Sequence, residues 1–416
     1  MLKELKLVNW KSFKEATLYI DQLTLVIGTN SSGKSNVLDA LLFLKRIAQG
    51  SPIFQAIHGD ANIPPIRGGM EWVCRKPSDS FSLEAKVQGE NENEEYRHLI
   101  VVSVNSTKAE VTKEELTLFK YKPRSGQPSE TKLFYTQENR DYFPGIIAYF
   151  SVEGKGHGRR IDLMSSHSVL LQADSMHTRK QIAEGVKKVI STLKEIFVFD
   201  PIPSHMRDYT PLSDSLQPDG SNIAGVLEAL PQPKKEETQK TLTDYIRSLP
   251  EKDIKRIWTE PVGKFNTDAM LYCEEGWLET ESNIVDARGM SDGTLRYLAI
   301  VTAMLTREQG SLLVIEEVDN GLHPSRAYML IQMLRTLGNV YGVDVLITTH
   351  NPALLDAAGV NMIPFIAIAH RDEKSGESRL TQLEDLEQLP KLMAKGTLGK
   401  LSASGSIENA LHTDKE

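Results

Sequence analysis

The chain has 416 residues, 40% of them hydrophobic and 25% charged, and a formal net charge of −8. Such a composition suits a globular chain with room for more than one lobe. The acidic balance argues against a generally basic nucleic-acid binder, although a local basic patch can sit on an acidic chain.

The opening Met1-Leu2-Lys3-Glu4-Leu5 alternates polar and apolar residues, so it reads as a strand and not as a signal peptide. Without a run of about 18 apolar residues, no membrane span is expected and the cytoplasm is the expected location. Cys74 and Cys273 are far apart and have no His at metal-ligand spacing, which reads as two reduced thiols.

Leu23-Thr24-Leu25-Val26-Ile27 has the continuous apolar character of a buried parallel strand. Gly28-Thr29-Asn30-Ser31-Ser32-Gly33-Lys34-Ser35 follows at once and matches the phosphate loop G-x-x-x-x-G-K-[ST]. A helical pattern then runs through Asn36, Val37, Leu38, Leu41, Leu42 and Ile47 to Gly50. Gly28 and Gly33 permit the turns that aim successive N–H groups at phosphate oxygens, and the helix N-terminus adds partial positive charge. Lys34 would reach the β- and γ-phosphates, and the Ser35 hydroxyl would hold Mg²⁺. The cofactors expected are therefore ATP and Mg²⁺.

Residues 66–150 alternate in short strand-like runs, such as 81–87 and 98–104, with polar turns between them. They read as an antiparallel β-subdomain. Residues 170–255 read as mainly helical, for example 179–196, broken by Pro201-Ile202-Pro203 and Pro231-Gln232-Pro233. No heptad pattern persists, so long coiled-coil arms are not expected. Candidate basic patches fall at 120–124, Arg159-Arg160, Lys187-Lys188 and Lys234-Lys235, and the best of them is 154–160, which reads as flexible and locally basic. Such pairs are most often solvated faces.

Arg288-Gly289-Met290-Ser291-Asp292-Gly293-Thr294 opens a helix whose apolar positions include Leu295, Leu298 and Leu305. Ser291, Gly293 and the free N–H groups beside them form a second anion site. One nucleotide does not need two such loops from one chain, so this loop is expected to cap the ATP held by a second copy. Leu312-Leu313-Val314-Ile315 is another buried strand and ends in Glu316-Glu317. Glu316 is assigned to the metal and Glu317 to the attacking water. Val345 to Thr349 is a further buried strand ending at His350, placed to sense the γ-phosphate. The apolar run 365–369 and a tail through Leu383, Leu386, Leu389 and Leu392 close the chain.

Taken together, GTNSSGKS, MSDGT, VIEEVDNGLHP and ITTH resemble the ABC-type ATPase heads of the SMC, RecF and OLD class. The likeness is greatest to the compact bacterial AAA-type members found in defence and repair operons. Asn9-Trp10-Lys11-Ser12-Phe13 looks like that class's N-terminal strand and turn, and Asp319-Asn320-Gly321-Leu322-His323-Pro324 resembles its D-loop, which places Asp319 near nucleotide at the dimer seam. Asp219-Gly220-Ser221-Asn222 also has the look of the class. Glu316 stands where most of the class has Asp, and Gln172 is the one candidate for the Q-loop glutamine. No metal-binding nuclease constellation of the Toprim kind follows the head.

The resemblance implies an α/β P-loop ABC-ATPase head assembled from both chain ends. Its parts are expected at 1–60 and 275–375, with the β-subdomain at 61–150, a mainly helical insert at 151–274 and a tail at 376–416. It implies ATP hydrolysis on Lys34, Glu317 and His350, a homodimer or larger assembly, and a switch acting on a separately encoded nuclease or toxin in antiphage defence. The alternative is a RecF-like repair factor that binds DNA directly. A scaffold with structural ATP, or a transporter ATPase, fits the motifs less well.

Overall fold

A hairpin opens the chain. Strands Leu2–Trp10 and Phe13–Tyr19 pair antiparallel with Leu5 opposite Leu18 and Leu7 opposite Ala16. Alternation buries Leu5, Leu7 and Leu18 on one face. Asn9 and Lys11 take left-handed backbone at the turn, with φ of 52° and 50°.

The computed structural model describes residues 1–121, 128–137, 145–152, 158–250, 254–276 and 283–413. The basic stretches 120–124 and 154–160 fall partly outside the described residues. The chain forms two compact units, Met1–Ile196 with Ala367–Gln382, and Phe197–Ile366 with Leu383–Glu416.

In the first unit the hairpin continues into an antiparallel meander. Leu2–Trp10 pairs with Ser80–Gln88, which is followed by Glu94–Val104, Ala109–Lys120, Ser129–Gln137, Ile146–Phe150 and Arg159–Leu163, each antiparallel to the one before. On the other side of the hairpin lie Ser378–Gln382, Ile366–Arg371 and then Leu23–Ile27. The antiparallel β-subdomain expected from alternation is thus present. The helix Lys34–Ala48 lies against its base, where Trp10, Phe43 and Phe81 meet with ring centroids 4.8 to 5.9 Å apart. Tilted and edge-on contacts of this kind add about 1 kcal/mol per pair beyond area burial.

One buried carboxylate ties the meander to the helices beyond it. Glu114 accepts hydrogen bonds from Ser168 Oγ (2.6 Å), Val169 N (2.7 Å) and Leu170 N (3.0 Å), and faces His98 Nε2 at 2.8 Å. It caps the helix Val169–Asp174 from a distant strand, in place of a local side chain.

The second unit has two sheets. In one, Ile196–Phe199 lies beside Leu312–Ile315, which pairs parallel with Asp344–Thr349. Helices Asp292–Thr306 and Ala327–Tyr341 pack together there, and the first is buried almost throughout from Thr294 to Leu305. The second sheet joins Thr210–Pro211, Asp268–Glu275, Ile254–Val262 and Asn283–Asp286 antiparallel. Helices Ile223–Ala229 and Lys234–Arg247 cover it, so the segment read as mainly helical also carries strands.

Candidate functional site

The phosphate-loop motif forms a loop between a fully buried strand and a helix. Its shape depends on two glycines. Gly28 has φ 144°, and a Cβ there would lie 2.1 Å from the Ala369 carbonyl oxygen. Gly33 has φ 117°, with Phe13 and Ser378 under 3 Å from where its Cβ would be. Ser31 takes left-handed backbone as well, at φ 64°. Alternation of this kind turns backbone N–H groups inward and forms an anion nest. No side chain caps the helix that starts at Lys34, so its N-terminus keeps donors for a ligand.

Lys34 is buried and folds back over the loop, where Nζ donates to the Gly28 and Thr29 carbonyls at 2.6 and 2.9 Å. Asn30 and Ser31 are exposed, while Ser35 and Asn36 are half-buried. Ser32 Oγ is buried with no partner among the described residues. A polar cradle with an orphaned hydroxyl and a lysine on its rim fits a polyphosphate.

The opening hairpin is strapped to the helix after this loop. Trp10 Nε1 donates to the Asn36 carbonyl at 2.7 Å, and Asn36 Nδ2 to Ser12 Oγ at 2.7 Å. The Asn36 side chain therefore faces the hairpin. Lys11 forms a buried ion pair with Asp39, to which Arg67 also bonds. Burial lowers the Lys11 ammonium pKa even with Asp39 opposing it.

The remaining candidates lie in the second unit. Strand Leu312–Ile315 ends at Glu316 and Glu317, and its parallel neighbour Asp344–Thr349 ends at His350. The register therefore brings Glu317 and His350 together, with Oε1 and Nδ1 3.8 Å apart and both side chains partly exposed. Glu317 has left-handed backbone, φ 44°, unusual for a side chain of this size. Its N–H donates to Thr348 Oγ1 at 2.9 Å, and its carbonyl accepts from Arg296 Nη2 at 3.0 Å. Asp319 accepts from Thr349 Oγ1 at 2.6 Å, joining the segment after Glu317 to the strand before His350.

Ser291 caps the helix Asp292–Thr306, accepting from Thr294 N at 3.1 Å. Gly293 lies close to the segment 321–326, since a Cβ there would meet Arg326 Nη1 at 3.0 Å and the Gly321 carbonyl at 3.1 Å.

Residues 1–355 match the family model of the AAA ATPase domain. The chain belongs to that family. It is an ATPase. No curated protein sequence matches it. Among solved structures it is similar to an Smc head bound to the C-winged helix domain of ScpA, at 13% identity and a TM-score of 0.49, over 94% of this chain and 99% of that one. It is also similar to the SMC head domain from Thermotoga maritima, at 15% identity and a TM-score of 0.43, over 92% of this chain and 98% of that one. A third similar structure is the Smc head domain with an extended coiled coil bound to the C-terminal domain of ScpA derived from Pyrococcus furiosus, at 11% identity and a TM-score of 0.49, over 94% and 99%.

Two arginines of this AAA ATPase escape motif reading. Arg296, on the helix that Ser291 caps, donates to the carbonyls of Pro201 (2.7 Å), Glu316 (3.1 Å) and Glu317 (3.0 Å) and lies 3.4 Å from Asp200. Its signal in the sequence is a lone cation inside the apolar run 295–305. Burial pushes the Asp200 carboxyl up, with Arg296 opposing. Arg207 donates to the carbonyls of Ala287, Arg288 and Met290 and to Asp292, and so fixes the loop that leads to Ser291.

Gln172 is engaged locally, bonding both Met164 N and Met164 O. Among the candidate basic residues, Lys120, Arg160, Lys188 and Lys235 pair with Glu94, Asp162, Glu90 and Glu228. The exposed pairs add little stability, and all four cancel local charge. Among the described residues no helix is long and apolar enough to cross a membrane, and no group of three or more His, Cys, Asp or Glu could hold a metal.

Proposed function

We propose that this ATPase is a nucleotide-driven switch of the ABC type, whose two ATP sites are completed when two copies meet. The observation that carries this reading is the Glu317–His350 pair at the ends of adjacent parallel strands. A carboxylate beside an imidazole, with both partly open to solvent, suits the orientation and deprotonation of water next to a terminal phosphate. The loop at Gly28, Asn30, Ser31, Gly33, Lys34, Ser35 and Asn36 would bind the phosphates of one ATP. Ser291, Gly293 and Asp319 would contact the ATP held by the other copy.

Ser35 and Glu316 are hard oxygen donors, the class that Mg²⁺ takes. When bound, that ion neutralises charge on the phosphates. Closing and opening of the pair would pass the nucleotide state to a separately encoded effector, a nuclease or toxin, in bacterial antiphage defence.

The test is light scattering of wild type and Glu317→Gln with and without Mg²⁺-ATP. A shift of the variant to twice its mass, or a multiple of that, on adding ATP supports the composite site. A mass that ignores ATP, together with full ATPase activity in Ser291→Arg, would reject it.

A further inference from the structure

His350 is followed by Asn351 and the short helix Pro352–Ala358, so the place of its imidazole depends on where that helix sits. One anchor lies on the strand side. Thr349 Oγ1 accepts from Asn351 N at 3.0 Å and donates to Asp319 at 2.6 Å.

The other anchor comes from the C-terminal segment. Helix Leu398–Ala403 packs on Pro352–Ala358 at unusually close range. Gly399 N donates to Asp356 Oδ1 at 2.6 Å. A Cβ at 399 would lie 2.1 Å from the Pro352 carbonyl oxygen and 2.7 Å from Asp356 Cγ. Gly399 does not have left-handed backbone, so its own conformation does not call for glycine. Alanine would favour the helix, and only the close approach to Pro352 accounts for the missing side chain. Leu398, Leu401, Ile407 and Leu411 are buried, so the segment docks through apolar side chains as well. Beside this contact lies a cavity of about 550 Å³, walled by Leu355, Asp356, Gly359 and Val360 on one side and Met393 to Leu398 on the other.

We infer that the C-terminal segment from Leu389 to Leu411 is a clamp that sets the position of His350, with Gly399 and Asp356 as its positioning residues. This rests on the assignment of His350 to ATP hydrolysis. Displacing Pro352 moves a residue two positions from the imidazole, and small misplacements at a reacting centre cost large factors in rate.

The experiment is steady-state ATP hydrolysis by the full chain carrying Gly399→Ala, Asp356→Ala, Asp356→Asn, His350→Ala, or His350→Ala with Gly399→Ala. Gly399→Ala should lower kcat about tenfold with KM unchanged. Asp356→Ala should do likewise, while Asp356→Asn, which still presents an acceptor to Gly399, should keep most of the rate. The double variant should be no slower than His350→Ala, because two changes on one route do not add. Wild-type kcat in both Gly399→Ala and Asp356→Ala, or a full extra loss in the double variant, overturns the clamp. A wild-type rate in His350→Ala instead overturns the role given to His350, and the clamp falls with it. Should Gly399→Ala fail to fold, the Asp356 pair decides: equal loss in Ala and Asn rejects the proposal.

Discussion

His350 Nδ1 stands 3.8 Å from Glu317 Oε1, across the ends of two parallel strands paired Leu313 to Val345 and Ile315 to Ile347. The pairing comes from backbone register, so replacing one side chain leaves the other in place. Glu317→Gln keeps the shape of the carboxylate and removes its basicity. It should lower kcat by about 10²–10³, within the range for a general base, and leave ATP affinity within a few-fold. Lys34→Ala should lose nucleotide binding itself. Phosphate release and equilibrium binding of a fluorescent ATP analogue separate the two cases. Normal turnover by Glu317→Gln would remove it from the role of base.

Arg296 holds the backbone on which Glu317 stands. Its guanidinium serves three carbonyls and Asp200 from a side chain that is 5% exposed. Lysine keeps the charge but not the planar fork, so it cannot satisfy these acceptors together. Arg296→Lys should destabilise the chain by about 2–3 kcal/mol, read as a lower urea midpoint, and should lower kcat as Glu317 leaves its left-handed backbone. An unchanged midpoint would mean that water replaces the guanidinium without cost.

The motif residues were legible because their chemistry demands fixed neighbours in sequence. The phosphate loop needs a strand before it and a helix after it, and 23–48 supplies both. The partners of Arg296 and Arg207 were not legible, even where a lone cation in an apolar run marks Arg296, since they are mostly backbone carbonyls that any sequence offers. Nor was the left-handed φ of Glu317, which comes from Thr348 and Arg296 acting on it from elsewhere in the fold. The strands Ile254–Val262 and Asp268–Glu275 sit in a segment whose helices dominate its periodicity. Their turn relies on left-handed Gly263 and Asn266, five residues' worth of signal in a long helical stretch.

Gly28 offers a direct check on the loop's geometry. An added methyl would meet the Ala369 carbonyl at 2.1 Å, and backbone cannot yield as a flexible side chain can. Gly28→Ala should therefore cost about 3 kcal/mol from strain and displacement combined and weaken ATP binding. Ser31 also has left-handed backbone, yet it is exposed, so Ser31→Gly should be tolerated in stability. Thermal melts of the two variants make the comparison, and equal melting temperatures would contradict the close approach at Gly28.

Strong acid should loosen the turn beside the phosphate loop. The Asp372 carboxylate accepts from Ser375 N and Ser375 Oγ, both at 2.9 Å, and pairs with Arg379 at 2.8 Å. The hydrogen bond from the Ser375 backbone, with help from its hydroxyl and from Arg379, holds the carboxyl down at about 2. An unfolded aspartate titrates near about 3.9. A depressed folded pKa contributes stability that is present above the unfolded value and lost as pH falls through the folded one. The turn matters to the loop because Arg371 bridges them, donating to the Gly376 carbonyl at 2.8 Å and the Ser31 carbonyl at 2.9 Å. Wild type should therefore melt above Asp372→Ala by a constant margin from pH 8 to 5, and the margin should close between about pH 4 and 2. The variant should also bind ATP more weakly at neutral pH, as Arg371 loses its fixed turn. A margin that widens in acid would show that the carboxylate is not held down by Ser375, and an unchanged ATP affinity would detach the turn from the phosphate loop.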